Sequence, residues 1–322
     1  MHRFSTSLST LAALTALSVA LVLVVPVTGS AQSDRNRERE REESQDAQSR
    51  VDTTFAFNKN GSVDLTEVSG DVVVNAWDRN EARVRAYAER GHIRTSLSSS
   101  RLSLEVEPVR GRIGDSKLEV WVPVGVRVVA HSTSGDVTVK GTKAEVDARS
   151  TSGDVIVTDA TDHIVIESVS GDVRASQLNG DVRSESVSGT IEIRDATGEV
   201  RAETTSGDVS LIGVTSRSVF ATTVSGEVDY DGTVDNNGRY EFHSHSGGIR
   251  LGIPESTSAQ FSVETFSGSL DSEFSITLQP GQRSTGRPRR FEFKLGSGSA
   301  RITAESFSGD IVLARRAARR ER

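Results

Sequence analysis

Any chemistry in this chain must come from acids, hydroxyls and histidines, because the sequence contains no Cys. Asp136, Asp154, Asp172, Asp181 and Asp208 each directly follow a glycine. Carboxylates recurring behind glycine turns invite comparison with calcium rolls, but those rolls place several glycines and further ligands in each turn. Here each turn offers one Gly and no second ligand, which predicts that the carboxylates accept hydrogen bonds from turn amides. Glu167, Glu185, Glu203, Glu264 and Glu305 form a second acidic set, placed to meet cations or a basic surface, with Arg149, Arg183 and Arg201 interleaved as compensating charge. His243 and His245 fall on one strand face and could share a metal ion, yet two ligands do not complete a site. Alternation sends Tyr240 and Phe242 inward and leaves the histidines outside. Catalysis needs a nucleophile or an acid and base with support. Acids spaced singly along the chain also lack the clustering that a polysaccharide lyase or hydrolase on a β-helix requires. The expectation is therefore no catalytic residue, no cofactor and no metal.

The same residues report a repeat. Ser134-Gly135-Asp136-Val137, Ser152-Gly153-Asp154-Val155 and Ser170-Gly171-Asp172-Val173 are 18 residues apart, and Ser188-Gly189 and Ser206-Gly207-Asp208-Val209 continue the step. Weaker copies at Asn179-Gly180-Asp181-Val182 and Thr197-Gly198-Glu199-Val200 divide each unit into halves of 9 residues, room for one strand and one turn. Apolar residues alternate within the halves, as in Val155 and Val157, Ile164 and Ile166, or Ile191 and Ile193. A period of two marks a strand with one buried face. The repeat is already present at Gly70-Asp71 and returns at Gly309-Asp310.

Two architectures fit: a parallel β-solenoid with about 18 residues per coil, and an antiparallel β-sandwich or barrel. Aligned on the Ser-Gly step, Ser150, Ser168, Ser186, Thr204, Thr223, Ser244, Thr265 and Ser306 fall in one column of hydroxyls. The column persists although the intervals lengthen toward the C-terminus, the longest being 41 residues between Ser267 and Ser308. Such a column favours the solenoid, where like residues stack and their hydroxyls bond along the stack and to turn amides. About ten coils at ~4.8 Å would make a slender rod of roughly 50 Å. Larger residues near the C-terminus, Phe261, Phe266, Phe274, Phe291, Phe293 and Phe307, predict a wider last section or a cap closing the core.

The segment from Leu118 to Val137, with alternation around Pro123 and then Ser-Gly-Asp-Val, followed by further Ser-Gly-Asp-Val steps, resembles the bacterial β-strand-repeat family known as adhesin-like, a family of unknown function. The resemblance spans roughly residues 51–313. It implies an exported, non-enzymatic, β-solenoid-like domain at the cell envelope, with no catalytic residue to carry over.

The remaining segments supply the address. Residues 1–31, with Arg3, an apolar run from Leu11 to Val27 and the small residues Thr28-Gly29-Ser30-Ala31, read as a secretory signal. An uncleaved membrane anchor is the alternative, at the short limit for a span. Residues 32–50 read as a charged linker, 51–313 as the repeat domain, most regular in 134–229, and 314–322 as a basic tail. Gln279 to Arg290 reads as a basic loop. The net charge of −7 argues against a nucleic-acid partner. The expected partner is an envelope polymer or a protein, with a homo-oligomer as the structural alternative.

Overall fold

The computed structural model describes residues 49–109, 114–276 and 289–316. The expected signal at 1–31, nearly all of the linker, most of the basic loop at 279–290 and most of the tail lie outside the described residues. Those described are all-β, with no helix among them.

The N-terminal strands are β1 (Ser49–Ala56), β2 (Ser62–Glu67), β3 (Gly70–Trp77), β4 (Glu81–Ala88), β5 (Gly91–Leu97), β6 (Arg101–Pro108) and β7 (Ser116–Pro123). The repeats contribute β8 (Arg127–Ser132), β9 (Val137–Lys140), β10 (Val146–Ser150), β11 (Val155–Ser168), β12 (Val173–Ser188), β13 (Ile191–Thr197), β14 (Val200–Ser206) and β15 (Val209–Val214). They continue through β16 (Ser218–Ser225), β17 (Val228–Gly232), β18 (Arg239–Ser246) and β19 (Ile249–Ile253). Last come β20 (Ala259–Thr265), β21 (Leu270–Ser272), β22 (Arg289–Leu295), β23 (Ala300–Ser308) and β24 (Ile311–Arg315).

These strands form one open sheet that folds into two parallel ladders. One ladder runs β6, β2, β8, β10, the second half of β11, the second half of β12, β14, β16, β18, β23 and β20. The other runs β7, β3, β9, the first halves of β11 and β12, β13, β15, β17, β19, β24 and β21. Between β11 and β12 the partners are Val155 and Val173, Ile164 and Val182, Ser168 and Ser186. Like therefore stands on like. The inward positions of both ladders, among them Val157, Ile166, Leu178 and Leu211, join one continuous hydrophobic core. That burial is worth about 1.5–3 kcal/mol for each large aliphatic side chain.

Beside the ladders, one corner holds a column that its residue types do not announce. Gly141, Asp159, Gln177, Asp195 and Gly213, 18 residues apart, all have positive φ, at 74°, 56°, 57°, 52° and 69°. Left-handed backbone lets the chain swing around while Ala160, Leu178, Ala196 and Val214 still turn inward and stay buried. Glycine tolerates that geometry, aspartate accepts it with local hydrogen bonding, and Gln177 bears its steric cost.

Both ends depart from sequence order. The 41-residue interval is not one lengthened unit with a bulged loop: β23 and β24 insert between β18/β19 and β20/β21, so Ser306 pairs with both Ser244 and Thr265. Likewise β2/β3 lie between β6/β7 and β8/β9. Antiparallel strands finish the ends, with β5 on β6, β4 on β7, β1 on β4 and β22 on β20. Phe261 and Phe293 stack at 4.8 Å under that last pairing and are buried, as a cap requires. Phe266 and Phe307 are not in the core at all.

Candidate binding face

The wall of the stack is set by glycine. A Cβ placed on Gly135 would lie 2.1 Å from the carbonyl oxygen of Gly70, and one on Gly153 2.2 Å from that of Gly135. The same approach recurs at Gly171, Gly207 and Gly309. Backbone so close leaves room for hydrogen only. Gly180 stands on the opposite corner, where its neighbour is the backbone of Asp162.

The column of hydroxyls stands on these glycine carbonyls rather than bonding to one another. Ser150 donates to Gly135 O (2.9 Å), Ser168 to Gly153 O (3.0 Å), Ser186 to Gly171 O (3.4 Å) and Thr204 to Gly189 O (3.1 Å). Thr223, Ser244, Ser306 and Thr265 do the same to Gly207, Gly226, Gly247 and Gly309. All eight are buried. Replacing Ser168 by valine, which sets methyl groups against a carbonyl that needs a donor, is expected to cost about 1–3 kcal/mol. Thr138→Ala, on the outer face, should stay within about 0.5 kcal/mol. Equal urea midpoints for the two variants would contradict the inward hydroxyls.

The aspartates behind the glycines bond between layers. Asp71, Asp136 and Asp154 accept from the amides of Asp136, Asp154 and Asp172, at 3.1, 2.8 and 2.9 Å. Asp172, Asp208 and Asp310 accept from Thr190, Glu227 and Ser269 in the same manner, and Asp181 more distantly from Glu199. The turn amides they meet thus belong to the next layer. Burial alone would push the Asp154 carboxyl up, but hydrogen bonds from Arg174 and the Asp172 amide outweigh it and hold the group below its ordinary value. For Asp310 the amide and hydroxyl of Ser269 have the same effect. A depressed carboxylate stabilises the fold above its unfolded pKa of about 3.9 and loses that contribution as pH falls through the folded value. Stability should therefore drop below about pH 4, and Asp154→Asn should flatten that drop in acid melts.

Along this corner runs a shallow groove, in two adjoining sections of about 690 and 410 Å³ that share Thr222 and Val224. The buried hydroxyls lie along it. On one side stand Glu167, Glu185, Glu203, Glu305 and Glu264, the acidic set seen in the sequence. Four meet an arginine: Glu167 with Arg149 (2.9 Å), Glu185 with Arg183 (2.7 Å), Glu203 with Arg201, and Glu264 with Arg290 (2.6 Å). Among the described residues Glu305 meets no arginine directly and contacts the His243 ring at 3.3 Å, an ion pair when the histidine is protonated. Tyr240 and Phe242 are buried, and His245 is exposed. Among the described residues no three His, Cys, Asp or Glu side chains gather as a metal site.

The other side of the groove is the feature the residue types did not reveal. Val169, Val187 and Val224 are 45%, 49% and 48% exposed, and Phe307 and Phe266 extend the row at 49% and 37%. His245, Phe307 and Phe266 stack in sequence across three layers, at 4.9 and 4.7 Å and nearly parallel. The signal lay in the spacing: each residue follows an inward hydroxyl, so alternation turns it outward.

The sequence matches the family profile described as Toastrack DUF4097 over residues 126–196 and again over 178–314, and the chain belongs to that family. Similar solved structures include a cell-adhesion-type protein of Clostridium sporogenes, 9% identical, with 83% of this chain and 100% of that one covered and a TM-score of 0.22. An adhesin-like protein of Bacteroides fragilis is 12% identical, with 82% and 97% covered and a TM-score of 0.40. One of Parabacteroides distasonis is 10% identical, with 82% and 97% covered and a TM-score of 0.37. No curated protein matches the sequence.

Proposed function

We propose that this chain is an exported, non-catalytic, adhesin-like protein of the cell envelope. In this reading a β-solenoid of about 18 residues per coil presents its hydroxyl corner to a polymer or protein partner. The observation that carries it is the row of Val169, Val187, Val224, Phe307 and Phe266. Among the described residues it holds five of the seven large apolar side chains exposed to water. Singly exposed apolar groups are ordinary, whereas a row of them flanked by charge, interrupted here only by Thr205 and His245, marks an interaction surface. Export rests on residues 1–31, and the lack of Cys leaves stability to ladders and packing.

End-to-end assembly is the weaker reading. The edge strand β22 carries Arg289, Arg290, Glu292 and Lys294, and charge on an edge opposes pairing with a second copy. The test is a peptide and glycan array probed with the full chain and with a Val187→Asp, Val224→Asp double variant. Ligands retained by the parent and lost by the variant are expected. Identical binding profiles would overturn the reading.

A further inference from the structure

We infer that the partner of this groove is a basic amphipathic α-helix, lying along the stack with its apolar face on the valine and phenylalanine row. The inference rests on the reading of the groove as a binding face and supplies the chemistry of its occupant. Three observations converge on it.

The first is spacing. Layers repeat at ~4.8 Å, and a helix presents one ridge of side chains per ~5.4 Å turn. An extended peptide presents same-face side chains only every ~6.6 Å and is half a layer out of step within about two layers, whereas a helix drifts that far only after about four. From Val169 to Phe266 the row spans six layer steps, roughly 29 Å, which a helix of about 19 residues would cover.

The second is charge. The row beside the apolar one contains five glutamates, Glu167, Glu185, Glu203, Glu305 and Glu264. Their arginine partners Arg183, Arg201 and Arg290 are 54%, 44% and 61% exposed. Ion pairs so open to water hold weakly, so a cation arriving from the groove can replace them.

The third is Glu305. Its side chain is 51% exposed, meets the His243 ring and is within reach of the Arg290 charge without bonding to it, next to the edge of the aromatic stack. A lysine that lays its apolar stem along Phe307 and brings its ammonium to Glu305 satisfies both groups at once. Apolar and acidic rows side by side are what a helix with one apolar and one basic face requires.

The experiment titrates the full chain with a fluorescent leucine-lysine peptide of about 19 residues patterned for a helix. A leucine-glutamate counterpart, a scrambled leucine-lysine peptide of equal composition, and chitohexaose are the comparison probes. The helical leucine-lysine peptide should bind most tightly and gain helical circular dichroism on binding. Val187→Lys with Val224→Lys should weaken it by at least roughly tenfold, and Glu305→Gln by a few-fold, as anchors in a contact do. Melting curves check that these variants fold, and Glu305→Gln, a surface change, keeps the test open if the double variant does not. Equal binding of the glutamate or scrambled peptide, binding indifferent to these variants, or no peptide binding would each overturn the inference. If chitohexaose binds and the double variant loses it while no peptide binds, the groove reading stands and the helix alone falls. If the double variant changes no probe, both fall.

Discussion

Replacing Gly171 by alanine is expected to destabilise the stack by about 3 kcal/mol, the upper range for forcing extra atoms into close-packed structure. The added Cβ would lie 2.1 Å from the carbonyl oxygen of Gly153 and 2.5 Å from its carbon. Both are backbone atoms, so no side chain can swing aside. The displaced carbonyl also accepts the Ser168 hydroxyl, and Gly153 is itself pressed against Gly135. Gly171 does not have positive φ, so contact and not backbone freedom makes it obligatory. Gly141 is the control: it has φ of 74°, but an added Cβ would meet nothing nearer than Ala76 at 3.7 Å. Gly141→Ala should therefore cost only the left-handed penalty of about 1–2 kcal/mol. Chemical melts of the two variants should separate clearly. A Gly171→Ala midpoint at or above that of Gly141→Ala would show that the layers are farther apart than described.

The second large effect is Phe242→Ala, expected to cost about 3–5 kcal/mol, as removal of a buried phenyl ring does. Phe242 is 1% exposed and packs at 5.1 Å against Tyr230, which in turn lies 6.1 Å from Tyr240. The tyrosines cannot readily close the gap, because their hydroxyls are held. Tyr230 donates to Thr233 O at 2.7 Å, and Tyr240 donates to Ser216 O at 2.6 Å while accepting from the Asp235 amide. Burial pushes both phenols above their ordinary range, so they stay neutral donors at any working pH. Phe307→Ala, by contrast, removes a ring that is 49% exposed, loses chiefly its stacking on His245 and Phe266, and should cost only about 1 kcal/mol. Thermal melts that lowered both variants equally would place Phe307 in the core and remove the row on which the binding face depends.

Much of this was legible because a repeat states its own register. Ser152, Ser170 and Ser188 at a constant step, with Val155 and Val157 alternating behind them, are enough to set Ser168 on Ser186 and to turn both inward. The order of the last layers was not legible. Thr265 and Ser306 carry the same column signature, so either could follow Ser244, and only pairing remote in sequence decides that β23 goes between. The left-handed column was hidden for another reason: Asp159, Gln177 and Asp195 share a backbone conformation and not a side-chain type. Phe266 and Phe307 do not join Phe261 and Phe293 in the wider last section or cap that composition predicts, because composition cannot tell an inward ring from an outward one. Their place directly after Thr265 and Ser306, both inward, could have shown it.

The claim that the valine and phenylalanine row faces water and is covered when a partner binds can be measured directly, because the chain contains no cysteine. A single cysteine at Val187 would be the only thiol in the protein, and a second variant with cysteine at Thr138 places it on the other ladder. Alkylation rates should be fast for Val187→Cys in the free protein and slow at least roughly tenfold with saturating ligand, while Thr138→Cys keeps its rate, since a bound contact excludes water and reagent together. Slow alkylation of Val187→Cys without ligand, or protection at Thr138→Cys instead, would contradict the account.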